Sequence, residues 1–357
     1  MDERRNGSWQ CWKGSMQQTE VIDHQGHSGR RSSFQKPATE KHGKTRIKLM
    51  RILFLTDNFP PEVNAPASRT FEHCREWVKA GHQVTVITGA PNFPTGKVFP
   101  GYRNRLWQRE TLDGIQVVRV WTYITANTEV AKRTLDYLSF MVFGFLAGLV
   151  QRRPDVIIGT SPQFFTNCAA WMLSVFRWRP FIFELRDLWP ESIKTVGAMQ
   201  DSVALRLMER LERFLYRCAA AVVVVTESFR RNLIARGING DQIAVITNGV
   251  DLSRFQPMPR DPELAEQLGL TGKFVAGYIG THGMAHALET LLEAAQRMAA
   301  LPAGPEVHFV LLGDGARKSA LKATAERMGL KNVLFLDTVP KAEVPRYWSL
   351  LDVSIIH

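Results

Sequence analysis

The sequence predicts an α/β protein made of two doubly wound, Rossmann-like domains. Three observations carry that prediction. From Met50 onward, short apolar runs of strand length alternate with segments of helical period. A polar stretch with three prolines, NGVDLSRFQPMPRDP (Asn248–Pro262), interrupts the alternation. A second alternating series begins at Phe274. Strands alternating with helices build a parallel sheet covered on both faces. The predicted domains are 50–250 and 263–357, joined by a linker at 251–262. Two such domains set their strand ends across a cleft, where ligands of open α/β folds bind.

In chain order, residues 1–49 come first. They are rich in Ser, Gly, Gln, Lys and Arg, show no apolar period, and cannot bury a core. They are predicted to be a disordered or artefactual extension upstream of the strand-like start MRILFLTDNFPPE; a basic tail touching lipid head groups is the alternative. A strand is predicted at 51–57, a helix at 67–80, and strands at 83–88 and 115–122. A helix at 135–152, a strand at 156–160, a helix to Phe176 and a strand at 181–185 follow. Leu205, Met208, Leu211 and Leu215 form one stripe of a helix at 202–218. Then come a strand at 221–225, a helix at 227–236 and a strand at 243–246. The second series opens with FVAGYI (274–279), the turn Gly280-Thr281-His282-Gly283, and a helix from Ala285 on which Leu288, Leu291, Leu292 and Ala295 share a face. HFVLLGDG, NVLFLD, a short helix and DVSII complete it.

Composition narrows the function. The 357 residues are 45% hydrophobic, enough for real cores, and carry a net charge of +11. Residues 1–49 hold 10 Lys/Arg against 5 Asp/Glu, so +5 of the excess sits there. The rest is spread too thinly for a nucleic-acid binder. It fits a protein that handles phosphorylated ligands or visits an anionic membrane surface. Four scattered cysteines without a CxxC pair predict a reducing cytoplasm. One segment, Leu138–Val150, is almost wholly apolar and is flanked by Lys132-Arg133 and Arg152-Arg153. It is too short to span a bilayer; a core helix and an interfacial helix are the two readings, so peripheral membrane contact through 132–153 is one expectation.

Polar residues just after strands are the candidate site residues. They fall in five groups: Asp57–Glu62 with Asn64–Arg69; Glu184, Arg186, Asp187 and Glu191; Thr226-Glu227; Gly280–Gly283; and Gly313–Lys318. A strand, a glycine turn and a helix aim free N–H groups at an anion, so Gly280–Gly283 is read either as a phosphate cradle or as an ordinary turn. Arg317 and Lys318 open a helix after GDG, where a bound phosphate would meet them. GDGARK lacks the third glycine of the dinucleotide fingerprint, and no P-loop, GxSxG elbow or HExxH is present. His282 and His286 lack a third ligand, so no metal is expected.

Several motifs together resemble glycosyltransferase family 4: MRILFLTDNFPPEVNAPASR, FELRDLWPES, VTESFRRNL, ITNGVDLSRFQP, YIGTHGMAHALETLL and LLGDGARK. They are most similar to the bacterial group that adds N-acetylated amino-deoxy sugars of the L-fucosamine type in O-antigen or capsule synthesis. The resemblance implies a two-domain GT-B fold, a nucleotide-sugar donor in the C-terminal domain, and a lipid-linked saccharide acceptor in the N-terminal one. It implies retention at the anomeric carbon, no metal and no cofactor beyond the donor itself. It places the donor diphosphate on Gly280, Thr281, His282 and Gly283 with Arg317 or Lys318, and the reacting carbon beside Arg186 and Asp187. Glu62, Asn64, Arg69 and Glu191 are expected on the acceptor side. Asn64-Ala65-Pro66 replaces a common glycine pair, and Met284 stands where a cation is common. The family continues past DVSII into an E-x7-E segment, so the second domain is expected to be incomplete and the chain truncated, with its activity affected. The alternatives are a non-catalytic remnant that binds an acceptor or a partner, and an NAD(P)-dependent α/β enzyme using GDGARK.

Overall fold

A computed structural model describes residues 48–93, 95–125, 130–188, 203–301 and 306–356. The predicted extension lies outside them except for its last two residues, and Glu191 lies outside them as well. The first sheet has eight strands in the order β3-β4-β2-β1-β5-β6-β7-β8. These are β1 (Arg51–Leu55), β2 (Gln83–Thr88), β3 (Trp107–Leu112), β4 (Ile115–Val120), β5 (Val156–Thr160), β6 (Phe181–Leu185), β7 (Ala221–Val224) and β8 (Ile243–Val245). All pairs are parallel except β3 with β4. β3 was not predicted. Its sequence, WQRETL, has no apolar run, because an edge strand with one face in water needs none. A tight turn with positive φ at Asp113 and Gly114 folds it back on β4.

The central strands are apolar for the opposite reason. All five residues of β5 (VIIGT) and of β6 (FIFEL) are buried, with helices on both faces. The helices are α1 (Ala65–Lys79), α2 (Val130–Leu149), α3 (Phe164–Arg177), α4 (Val203–Cys218) and α5 (Glu227–Ala235). α1 starts two residues earlier than predicted because Asn64 caps it: its Oδ1 accepts from the Ala67 N–H at 2.9 Å. The apolar 138–150 stretch lies in α2 as far as Leu149, and that helix has a buried face and an exposed one. Phe140 and Ala147 are buried in the core, whereas Leu135, Val142 and Leu146 are about half exposed. Among the described residues, no helix is long and apolar enough to cross a membrane.

After the linker, α6 (Pro262–Gln267) leads into a four-stranded parallel sheet of order β11-β10-β9-β12. Its strands are β9 (Phe274–Ile279), β10 (Val307–Leu312), β11 (Val333–Leu336) and β12 (Val353–Ser354). α7 (Glu289–Ala299), α8 (Lys318–Arg327) and α9 (Val344–Trp348) connect them. α7 begins later than predicted, because a short 3-10 turn at Met284–His286 and a left-handed Ala287 intervene.

The strand orders fix where ligands can sit. In the first sheet the chain leaves β1 for β2 on one side and later returns to β5 on the other. In the second sheet β9 has β10 on one side and β12 on the other. Such reversals open a crevice beyond the carboxyl ends of the strands. The loop at Thr56–Glu62 and the turn Gly280–Gly283 stand at these two places.

Candidate functional site

The first-sheet part of the site is built around a buried ion pair. Arg69 Nη2 of α1 donates to Glu184 Oε2 of β6 at 2.8 Å, and both side chains are nearly out of water. His73 Nδ1, one turn on, lies 3.9 Å from the other carboxylate oxygen. Burial lowers the pKa of Arg69, and the Glu184 carboxylate opposes that. Its Nε and Nη1 are buried with no partner among the described residues. Ser161, just after β5, holds the following loop: its Oγ accepts from the Arg186 N–H at 2.7 Å and the Asp187 N–H at 3.4 Å. Arg186 Nη2 donates to Asn248 Oδ1. RDLWPES and NGVD, the two most specific motifs, thus meet across 62 residues of sequence. Asp187 is exposed; desolvation still raises its carboxyl pKa, against the pull of Arg69.

The loop after β1 is tied differently from the expectation. Glu62 is buried, and its Oε1 accepts from the N–H groups of Asn92 and Phe93, each at 2.8 Å. Its carboxyl pKa is raised by burial, with these N–H groups and Arg119 pulling the other way. One of its oxygens therefore clamps the loops after β1 and β2. Asn64 caps α1 and donates to Asn58 Oδ1 at 2.6 Å. Asp57 was in a candidate group but not among the expected site residues. Burial, then the nearby Asp136 and Glu62 carboxylates, push its carboxyl up to about 8. Asp136, on α2, is raised to about 6, chiefly by burial. No pattern in sequence joins residues so far apart.

In the second sheet, Gly280–Gly283 and Gly313–Arg317 form a pair of interlocked turns. Gly280 N–H donates to Leu312 O and His282 N–H to Asp314 O, each at 2.9 Å, and Arg317 N–H donates to His282 O at 3.0 Å. Gly313 and Gly315, with φ of 148° and 157°, are what let the backbones close. A Cβ on Gly313 would fall 1.9 Å from Gly280 O, and one on Gly315 would fall 2.5 Å from His282 O. The glycines of GDGARK thus serve turn-to-turn packing, which removes the dinucleotide reading of that motif. Among the described residues, the N–H groups of Thr281 and Gly283 have no protein acceptor.

The two cations expected here are both engaged. Arg317 pairs with Glu289 at the start of α7 through its Nε (3.1 Å) and Nη2. Lys318 needs a correction. Its ammonium is buried and donates to Gly313 O (2.7 Å), Leu336 O (2.9 Å) and Asp337 Oδ1 (2.6 Å), which uses its three donors. It braces the turns and offers no donor to a ligand. Met284 is 70% exposed and supplies no charge. No group of three or more potential metal ligands occurs among the described residues. The cavity of about 710 Å³ beside Arg51, Gln83 and Arg109 lies at the opposite, amino-terminal ends of the strands and takes no part in this site.

The profile of the glycosyl transferase 4-like domain matches residues 64–249, more than half of the chain. The chain belongs to that glycosyltransferase family. The match spans α1, Glu184, the Arg186–Asp187 loop and Asn248. Among curated relatives, WcaI of Escherichia coli K12, named as a colanic acid biosynthesis glycosyl transferase, is 27% identical over 317 residues, covering 86% of this chain and 76% of WcaI. Among solved structures, the sucrose-phosphate synthase of Thermosynechococcus elongatus superposes with a TM-score of 0.66 at 15% identity, over 85% of this chain and 74% of that one. HepE of Anabaena, solved in complex with UDP-glucose, gives 0.57 at 17% identity, over 85% and 73%. These likenesses establish the α/β GT-B fold with two Rossmann-like parts, the second with a four-stranded sheet.

Proposed function

We propose that this glycosyltransferase moves a sugar, of the N-acetylated amino type, from a nucleotide-sugar to a lipid-linked saccharide during bacterial surface polysaccharide synthesis, with retention at the anomeric carbon. The observation that carries this reading is the placement of the two polar groups at the two switch points. The Gly280–Gly283 turn presents unpaired N–H groups where a diphosphate would sit, and Ser161 holds the Asp187 loop at the carboxyl ends of the first sheet, where the Arg69–Glu184 pair also lies. In this reading Asp187 and Arg186 lie beside the reacting carbon. Stabilisation of the departing diphosphate by the turn supplies most of the rate. Arg317 serves the diphosphate once it is freed from Glu289, and Arg69, Asn64 and Glu62 shape the acceptor side. The half-exposed apolar face of α2, flanked by Lys132-Arg133 and Arg152-Arg153, suits contact with the membrane that carries the acceptor. WcaI, whose name places it in colanic acid synthesis, and HepE, solved with UDP-glucose, support the class of reaction.

The test is transfer to a polyprenyl-diphosphate-linked sugar from a panel of nucleotide-linked amino sugars, with the anomeric configuration of the product read by NMR. Asp187→Asn is expected to lower the rate on the order of a thousandfold while leaving nucleotide affinity intact. Wild-type turnover in that variant removes Asp187 from the mechanism. An inverted product removes the retaining assignment.

A further inference from the structure

His282 is a buried histidine: it has no exposed surface, and among the described residues neither ring nitrogen has a hydrogen-bond partner. Tyr278 and Phe335 pack around it, with ring centroids 6.1 and 6.3 Å away. Its backbone is fixed at both ends, by Asp314 O and by the Arg317 N–H. A neutral imidazole carries one donor and one acceptor, and burying both unpaired is costly. Leucine or phenylalanine would fill such a position without that cost. His282 also sits between Thr281 and Gly283 in the chain, the two residues whose N–H groups have no acceptor among the described residues, within the interlocked turns.

The charges around it come from every neighbouring element. Lys318 and Lys322 face it from α8, His286 from the 3-10 turn, and Asp314 from the loop after β10. Burial first, then Lys318, lower the pKa of the imidazole and so favour its neutral form. Arg317 is engaged by Glu289 and Lys318 by two carbonyls and Asp337. A dianionic diphosphate arriving on the turn therefore meets N–H dipoles but no uncommitted cation from these two side chains.

We infer that His282 supplies the missing charge: it takes up one proton from solvent when a sugar nucleotide's diphosphate settles on the Gly280–Gly283 turn, and returns it when the nucleotide leaves. The inference rests on the reading of this turn as the donor site. His282 acts here as a positioning residue. Its charge strengthens diphosphate binding through the turn, in a setting where little water screens it. Protonation also turns the unpaired acceptor into a second donor.

The experiment is calorimetric titration of the full chain with UDP-, GDP- and dTDP-linked hexoses, whose pyrophosphate diesters do not titrate near neutrality. Repeating it in buffers of different ionisation enthalpy counts the protons taken up. The wild type is expected to take up close to one proton, and His282→Gln none. Wild-type affinity is expected to rise by up to about tenfold per pH unit as pH falls between the bound and free imidazole pKa values, and the variant to stay flat. His286→Gln is the control and is expected to keep the uptake; it carries the test even if His282→Gln misfolds, because loss of uptake in it would assign the proton to His286 and overturn the inference. Binding without proton uptake by the wild type overturns the inference and leaves the donor-site reading standing. No binding of any sugar nucleotide overturns both.

Discussion

Replacing Gly313 by alanine tests whether the interlocked turns hold the candidate donor site together. A Cβ there would sit 1.9 Å from Gly280 O and 3.0 Å from its carbonyl carbon, and both neighbours are backbone. The strands cannot slide apart to make room, because β9 and β10 are paired through Leu312↔Ile279 and continue into the Gly280 N–H···Leu312 O bond. The φ of 148° adds strain of its own for a residue with a side chain. The cheapest response is for the turns to part. That releases the His282–Asp314 and Arg317–His282 hydrogen bonds and the Gly313 N–H···Leu336 O bond. At about 1 kcal/mol for each bond, or a similar total as strain if they hold, the cost is about 3 kcal/mol. In a unit the size of the second domain this lowers the melting temperature by on the order of 10 °C. The assay is thermal unfolding together with hydrogen exchange at the amides of His282, Gly313 and Arg317. The comparison is Gly249→Ala, where a Cβ meets nothing within 4 Å and the cost should stay within about 0.5 kcal/mol. A Gly313→Ala protein that melts with the wild type and keeps its amide protection refutes the argument.

Three further outcomes are expected. Arg69→Met strands the Glu184 carboxylate in the core and should cost about 3 kcal/mol in denaturant unfolding; adding Glu184→Gln should recover part of it, and equal additive losses would show that the pair is not coupled. Asp57 has its folded pKa raised to about 8 from 3.8, so its contribution to stability is fully present below the unfolded value and is lost as pH rises toward 8. Asp57→Asn should therefore gain on the wild type by up to about 1.4 kcal/mol per pH unit across that window, and a constant difference would refute the shift. Lys318→Met leaves Gly313 O and Leu336 O without the ammonium and should cost about 2 kcal/mol with looser turns, whereas unchanged exchange at Gly313 would refute its bracing role.

The sequence alone determined the class of fold, the strands of both sheets except β3, and the position of every candidate group after a strand. Those features follow from local periodicity, which a window of a few residues carries. β3 escaped because a solvent-facing edge strand has no apolar run to read. The motifs RDLWPES, NGVD and GDGARK were legible as strings, but their uses were not. Only the tertiary structure brought Arg69 onto Glu184 across 115 residues and Arg186 onto Asn248 across 62. It also decided that Lys318 braces a turn, that Glu62 clamps two loops, and that the glycines of GDGARK make room for another backbone. The same holds for the switch points, since strand order is set by which crossovers bury their helices and no residue type encodes it locally. The turn Gly280–Gly283 reads in sequence as any glycine turn between a strand and a helix; only the structure shows that it follows the strand lying between β10 and β12 and that its His282 is buried with no ring partner among the described residues.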